Sequence, residues 1–279
     1  MFRKIKMLSL MSVILVSCSK NSNNLKPNLE PGKESEAKQP TTNFLSVTDI
    51  HFNPYSLCEK EETAGLDSST SKCAAMMQEL IQTSGDQWEK VFEKYMGQEK
   101  AATVGEHTNY SLFRLFLNQL ENVAKSQNVE FVFLLGDFLV YNFENKFASY
   151  SKLSDPQSLE TFTKNTFSFI SESISRKLGK NIEIYPVLGN TDSYVSNYNF
   201  DNPLSTNLYR DLSLIWGKNN VQLTQSSSFI TGGGYYSIKL SKKNLTLLAL
   251  NTTMFAREVR SNQSIDVDSY AQKQLDWLS

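Results

Sequence analysis

The chain lacks several features that would assign it to a class at once. It has no excess of basic residues, because 28 Lys and Arg are balanced by 29 Asp and Glu, a formal net charge of −1. That balance excludes the global positive field on which nucleic-acid-binding proteins rely, so no nucleic-acid partner is expected. No apolar run is long enough to cross a bilayer. Histidine and cysteine are scarce, at 2 and 3 of 279 residues.

Apolar side chains, in contrast, are plentiful. They make up 40% of the sequence and include 17 Phe and 12 Tyr. This is enough apolar material for one sizeable core, and the length is too small for several domains.

The first residues have the layout of an export signal. Residues 2–6 are basic, residues 7–16 are apolar, and Cys18 follows a small residue. This ending resembles a bacterial lipobox, so we predict that residues 1–18 are a lipoprotein signal peptide and that Cys18 is lipidated. The protein would then be exported and anchored to a membrane of the cell envelope by its lipid. The alternative is an ordinary signal peptide with a chance cysteine and a secreted product.

The next segment, residues 19–42, has almost no apolar side chains and is rich in Asn, Ser, Lys, Glu and Pro. It is predicted to be a disordered tether, which leaves residues 43–279 as the folded domain. The remaining cysteines, Cys58 and Cys73, form an even pair. In an exported protein we expect them to form a disulfide, the alternative being two free buried thiols.

Strand-like and helix-like segments alternate along residues 43–279, which predicts an α/β layered fold with a mixed sheet. Residues 53–72 are polar and turn-like. The predicted strands are residues 44–50, 130–135, 182–188, 235–240 and 245–250. The predicted helices are residues 74–96 in two pieces that break at Ser84-Gly85, then 109–126, 157–178, 204–217 and 268–278.

Polar residues follow three of these strands. Asp49 and His51 end the first, Asp137 follows the second, and Asn190 follows the third. Ligands of open α/β sheets bind beyond the carboxyl ends of strands, so these side chains are expected to meet. Carboxylate, imidazole and carbonyl oxygen are suitable ligands for Mn, Fe, Zn or Mg. Taken singly, each residue also fits a structural role: a strand-end cap, a type I turn, or a left-handed turn residue.

Five motifs together resemble the calcineurin-like metallophosphoesterases, and in particular their acid sphingomyelinase-like branch. They cover nearly all of residues 43–279. The motifs are DIHFNPY at 49–55, LLGDF at 134–138, PVLGNTDSY at 186–194, LNT at 250–252 and QLDWL at 274–278. The resemblance implies a layered α/β/β/α sandwich with mixed sheets.

The resemblance also implies a function. Asp49 and His51 would bind a first divalent metal ion, Asp137 would bridge two ions, and Asn190 would bind the second and act in catalysis. The two ions, of Zn, Mn, Fe or Mg, would activate a water molecule that hydrolyses a phosphate ester, with phosphodiesters favoured. No protein partner is implied.

Some positions depart from the family pattern. Thr191 stands where a histidine usually follows the asparagine, so the neighbouring Asp192 is expected to take over part of its catalytic role. Tyr141 replaces a histidine near the substrate and, with Thr191 and Tyr194, is predicted to contact it. His107 matches no family ligand, which favours an exposed loop histidine.

The family draws three further histidine ligands from a region beyond the QLDWL motif, whereas this sequence ends at Ser279. A truncated product, a remainder encoded nearby, or a decayed copy are all compatible with this. The alternative function is therefore a catalytically inactive phosphoesterase-like lipoprotein that only binds a ligand or partner. A third possibility is a lipoprotein spacer with an unrelated α/β body.

Overall fold

The structure is a computed structural model that describes residues 14–18, 42–65, 71–218, 223, 226–240, 245–260 and 265–279. It is a mixed α/β protein. Its strands are β1 Ile14–Cys18, β2 Phe44–Val47, β3 Phe131–Leu134, β4 Glu183–Pro186, β5 Tyr236–Leu240 and β6 Leu245–Ala249. Its helices are α1 Ser56–Thr63, α2 Lys72–Gln82, α3 Trp88–Met96, α4 Tyr110–Ser126, α5 Phe143–Ser151, α6 Pro156–Leu178, α7 Leu208–Lys218, α8 Ser227–Ile230 and α9 Val267–Leu278.

The strands form two small sheets. One is parallel, with the order β2-β3-β4, and the other is antiparallel, with the order β1-β6-β5. The prediction of a mixed sheet is therefore wrong for the described strands, because one sheet is entirely parallel and the other is entirely antiparallel. Parallel and antiparallel pairing were not distinguishable from apolar runs of four or five residues, because pairing depends on connections and register.

Alternating side chains of β3 explain how the layers stack. Val132 and Leu134 belong to the main core, whereas Phe131 and Phe133 face the other way. The latter two pack in a second apolar cluster with Leu247 of the antiparallel sheet. Since successive side chains of a strand point to opposite faces, the parallel sheet is covered on both sides.

The helices start where the sequence supplies caps. The Asn109 side chain accepts a hydrogen bond from Leu112 N at α4, and Asp155 accepts one from Ser158 N at α6. The predicted break near Ser84-Gly85 is confirmed, because a 3₁₀ turn at Gly85–Gln87 separates α2 from α3.

The prediction of a turn-like segment at residues 53–72 is wrong for Ser56–Thr63, which forms α1. This helix has no apolar stripe, and only Ser56 and Cys58 are buried. It is joined to α2 by the disulfide Cys58–Cys73, which confirms the predicted pairing. Tertiary contacts and the cross-link, and not a hydrophobic pattern, hold this helix in place.

Two buried aromatic residues anchor the strand ends. Phe52 is completely buried, and its ring centroid lies 5.1–5.5 Å from those of Phe92, Phe113 and Phe169. Phe138 packs against Trp216 of α7 with ring centroids 6.0 Å apart. Burying each such side chain contributes roughly 1.5–3 kcal/mol. The residues just before them, His51 and Asp137, are therefore attached to fixed points of the core.

The predicted signal peptide and tether lie mostly outside the described residues. The described part of the predicted signal peptide is strand β1, which pairs antiparallel with β6 and has Cys18 opposite Leu245. Helices long and apolar enough to span a membrane are not found in the described part of the chain.

Candidate metal site

Asp49, His51 and Asp137 meet beyond the carboxyl ends of β2 and β3, as the sequence predicts. One possible ligand atom from each lies within 4.8 Å of the others. His51 Nε2 is 3.6 Å from Asp49 Oδ1 and 3.9 Å from Asp137 Oδ2. The cluster forms because the parallel pairing continues past the strands: Asp49 N donates to Gly136 O and His51 N donates to Asp137 O.

All three residues have a left-handed backbone. The φ angles are 55° at Asp49, 43° at His51 and 55° at Asp137. Non-glycine residues rarely adopt this conformation, which costs on the order of 1–3 kcal/mol each and is concentrated at functional sites. All three members of the cluster have this costly conformation, which indicates that it serves to direct their side chains towards one another.

The His51 ring is oriented by its second nitrogen. Nδ1 lies 2.9 Å from the carbonyl oxygen of Leu139. A carbonyl can only accept, so Nδ1 donates its proton to Leu139 O and Nε2 is the nitrogen that faces the two carboxylates. Metal-binding histidines are commonly fixed in this way by an outer hydrogen bond. Asp49 is held similarly, since the hydroxyl of Thr48 donates to its Oδ2 at 2.6 Å.

Asp137 is the buried member of the cluster. Its Oδ1 accepts hydrogen bonds from Thr191 N at 3.1 Å and from the Thr191 hydroxyl at 3.2 Å. Burial raises the pKa of Asp137, although the Thr191 N–H and the nearby His51 act in the opposite direction. A carboxylate held out of water in this way is stabilised by a cation beside it.

The loops after β3 and β4 approach each other through two glycines. A Cβ atom on Gly136, whose φ is +83°, would lie 2.2 Å from Gly189 N. A Cβ atom on Gly189 would lie 2.2 Å from Asp137 Oδ1. Only glycine fits at either position, and this contact is what brings residues 189–192 beside Asp137.

Asp192 joins the same two loops from inside the protein. Its Oδ2 accepts hydrogen bonds from Asp137 N and Gly189 N, and its Oδ1 accepts one from Phe138 N, all at 2.8 Å. Burial raises the pKa of Asp192 to about 7, with a further contribution from the charge of Asp137. Both oxygens are occupied by the backbone, so Asp192 is a positioning residue and the predicted catalytic role does not fit its geometry.

Thr191 and Tyr194 also face inward, which corrects their predicted role in substrate binding. Thr191 is buried and holds Asp137. The Tyr194 hydroxyl donates to Asp211 Oδ2 at 2.8 Å, in a buried contact that supports α7. The sequence could not reveal this, because the direction of a side chain after a strand depends on the loop that carries it.

Asn190 is buried immediately before Thr191. Its side-chain nitrogen donates to Asn197 Oδ1 at 2.6 Å, which fixes the orientation of the amide. Tyr141 is half-buried, and its ring centroid lies 4.6 Å from that of His51. Tyr141 therefore borders the cluster, where a substrate contact was predicted.

His107 is the residue that sequence reasoning missed. It is half-buried rather than exposed, and its ring centroid lies 6.3 Å from that of His51 and 5.9 Å from that of Tyr141. Burial lowers the pKa of His107, with smaller contributions from Lys146 and His51. No local pattern places His107 here, because it is separated from both neighbours by tens of residues.

The donor set of Asp49, His51 and Asp137 fits one divalent cation. Two carboxylates and an imidazole suit Mn, Fe, Zn or Mg. Their convergence, the hydrogen bond that orients the His51 ring and the burial of Asp137 match what such a site needs. A second ion would share Asp137 and add Asn190, so it would require further ligands.

No known protein-family model matches the chain, and no curated protein matches it either. The function is therefore argued from the geometry of the site.

Proposed function

We propose that the chain is a metal-dependent hydrolase of phosphate esters, with phosphodiesters preferred, built on the layered sandwich of calcineurin-like metallophosphoesterases. The observation that carries this proposal is the convergence of Asp49, His51 and Asp137 on one point, each with a left-handed backbone. Polar residues with a strained backbone at the carboxyl ends of parallel strands support a ligand site.

A divalent cation bound there would polarise a phosphoryl oxygen and lower the pKa of a water molecule. The protein's own groups have distinct tasks. His51 presents Nε2, because Leu139 O holds its other nitrogen. Thr191 orients Asp137 through Oδ1, so Oδ2 remains directed at the cluster. Tyr141 borders the site, where its phenol can donate a hydrogen bond to a phosphate oxygen.

A centre with two ions remains part of the proposal. Asp137 would be shared and Asn190 would supply its amide oxygen to the second ion. We also propose that the enzyme acts outside the cytoplasm and is held to the membrane by lipid on Cys18.

The test combines metal binding with turnover. Mn²⁺ binding is measured by calorimetry, and turnover is measured with bis(p-nitrophenyl) phosphate. We expect Asp137→Ala to abolish both, because it removes the central ligand. Asp276→Ala, which changes an exposed carboxylate of α9, is the matched control and should change neither. Unaltered turnover in Asp137→Ala contradicts the proposal.

One observation favours a second candidate, a phosphoesterase-like protein that binds a ligand without hydrolysing it. Thr191 and Asp192, at the position of the family's usual proton donor, are both committed to internal hydrogen bonds. This candidate predicts that Mn²⁺ and phosphate bind but that no ester is turned over with Mn, Zn, Fe or Mg. Metal-dependent turnover by the 279-residue chain rules it out.

A further inference from the structure

β6 is the central strand of the antiparallel sheet that the structure describes. On one side it pairs with β5 over all five of its residues. On the other side it pairs with β1 over the same five residues, from Ile14 opposite Ala249 to Cys18 opposite Leu245. Both edges of β6 are therefore occupied along its whole length, and its backbone has a pairing partner on each side.

The partner on the second side belongs to the predicted signal peptide. Processing at the lipobox would cleave the chain before Cys18 and would remove all of β1 except that residue. Among the described strands, no other lies next to that side of β6. Processing would therefore leave one edge of β6 without its partner.

β6 has none of the features that protect an exposed edge strand. Its sequence, LTLLA, contains no charged residue and no proline. By contrast β5, at the other edge of the described sheet, has an exposed lysine, Lys239. Charged residues such as lysine, and proline, are common on natural edge strands because they hinder pairing with other chains. β6 is therefore suited to a covered position, and its edge accepts an extended strand when it is free.

We propose that β1 closes the β6 edge in the unprocessed chain, and that cleavage before Cys18 opens this edge as a docking surface for one extended, uncharged apolar strand. The occupant that fits is residues 14–18, because this segment has no charged residue and its backbone holds the antiparallel register. The docking surface rests on the processing proposed at Cys18 and not on hydrolase activity, since the metal cluster lies beyond the strands of the other sheet.

Proline substitutions in the full 279-residue chain test the pairing. Every variant also carries Cys18→Ser, which removes the lipidation site so that β1 stays attached. Leu15→Pro and Val16→Pro each remove one N–H group. Neighbouring N–H groups of a strand point in opposite directions, so one of the two belongs to the ladder with β6. We expect that variant to exchange the amide hydrogens of residues 245–249 faster, on the order of tenfold, the effect of about one net hydrogen bond.

Hydrogen exchange followed by mass spectrometry measures this. Met11→Pro, in the same apolar segment but before β1, is the matched control and should leave the exchange of β6 unchanged. Unchanged exchange in both Leu15→Pro and Val16→Pro, or an equal change in the control, would overturn the pairing.

A peptide can supply the missing strand in trans. Residues 13–18, with lysines added at both ends for solubility, should restore slow exchange of β6 in the proline variant that opened the edge. The same peptide with that proline should not. A native peptide without effect would overturn the docking surface.

The processed lipoprotein completes the test, with both forms measured in the same detergent. Its β6 should exchange faster than β6 of the unprocessed chain, whereas α6 should exchange equally in the two forms. Equally slow exchange of β6 would mean that another strand, for example from a second copy, has replaced β1, and would overturn the opening of the edge. Turnover is not measured, so a protein without hydrolase activity leaves this result unaffected. Conversely, a β6 edge that does not respond leaves the proposed hydrolase unaffected.

Discussion

The carboxylate of Asp192 accepts a hydrogen bond from the backbone nitrogen of Asp137 at 2.8 Å, across 55 positions of the sequence. The same carboxylate also binds the backbone of Gly189 and Phe138. One side chain thus satisfies amides of the loops after β3 and β4, the first of which carries Asp137. Without it, buried N–H groups would be left without partners.

Replacing Asp192 with Asn should therefore lower stability. The amide nitrogen of Asn would face backbone N–H donors in place of an acceptor. We expect a loss of about 2–3 kcal/mol in the free energy of unfolding, as for buried hydrogen bonds to a charged group. Urea denaturation followed by circular dichroism measures this, with Asp276→Asn, at an exposed position of α9, as the control. Equal stability of the two variants would show that Asp192 does not hold the loops.

The contact between Gly136 and Gly189 predicts a difference between two glycine substitutions. Gly136 and Gly179 both have positive φ, at +83° and +76°, but only Gly136 has backbone atoms where a Cβ would lie. We expect Gly179→Ala to cost on the order of 1–3 kcal/mol from backbone strain alone, because its ψ of 177° completes a conformation that is nearly restricted to glycine. Gly136→Ala should cost clearly more and should also weaken Mn²⁺ binding. Melting temperatures and calorimetry measure both effects, and similar losses in the two variants contradict the close contact.

The hydroxyl of Thr191 should matter for metal affinity more than for stability. Thr191→Val keeps the shape of the side chain but removes the hydrogen bond to Asp137 Oδ1. Outer hydrogen bonds of this kind typically change metal affinity by about 10–100-fold. We expect a weaker Mn²⁺ affinity in calorimetry within that range. Thr161→Val, at an exposed hydroxyl of α6, is the control, and equal affinities in the two variants would remove Thr191 from the site.

Asp201 should give the protein a distinct pH dependence. Its side chain is 2% exposed, and burial raises the pKa of Asp201 to about 7. The folded state therefore binds this proton more tightly than the unfolded chain, whose Asp has a pKa of about 3.9. The associated stability is fully present below pH 4 and is lost between about pH 4 and pH 7, by up to about 1.4 kcal/mol per pH unit.

Asp201→Asn, which is neutral at every pH, should remove that dependence. Relative to the wild type, it should be more stable at pH 8 by a clearly larger margin than at pH 5 in urea denaturation. A constant difference between the two proteins at pH 5 and pH 8 would mean that Asp201 does not titrate in this range on unfolding.

Much of the site's backbone was predictable, because strand ends are marked in the sequence. The apolar run before Gly136-Asp137 and the residues before Asp49 place both carboxylates at one sheet edge, as the structure has them. The direction of individual side chains was not predictable. Asp192 and Tyr194 turn into the protein because of hydrogen bonds to residues that are distant in sequence.

The position of His107 was not predictable either, because it too depends on a contact between segments that are distant in sequence. Its proximity to His51 follows from the backbone contact between Asn53 and Thr108, which pairs segments 55 residues apart. No periodicity encodes such a contact. Likewise, α1 has no apolar stripe from which a helix could be predicted. It is held instead by the disulfide between Cys58 and Cys73, which joins it to α2.

The packing of Gly136 on Gly189 has a consequence for how this site can be altered. The two loops share a backbone contact with no room for an added atom, so a shift of one displaces the other. They behave as one mechanical unit, although more than fifty residues separate them in the chain. A designer who wishes to widen the site at this contact must therefore move both loops together.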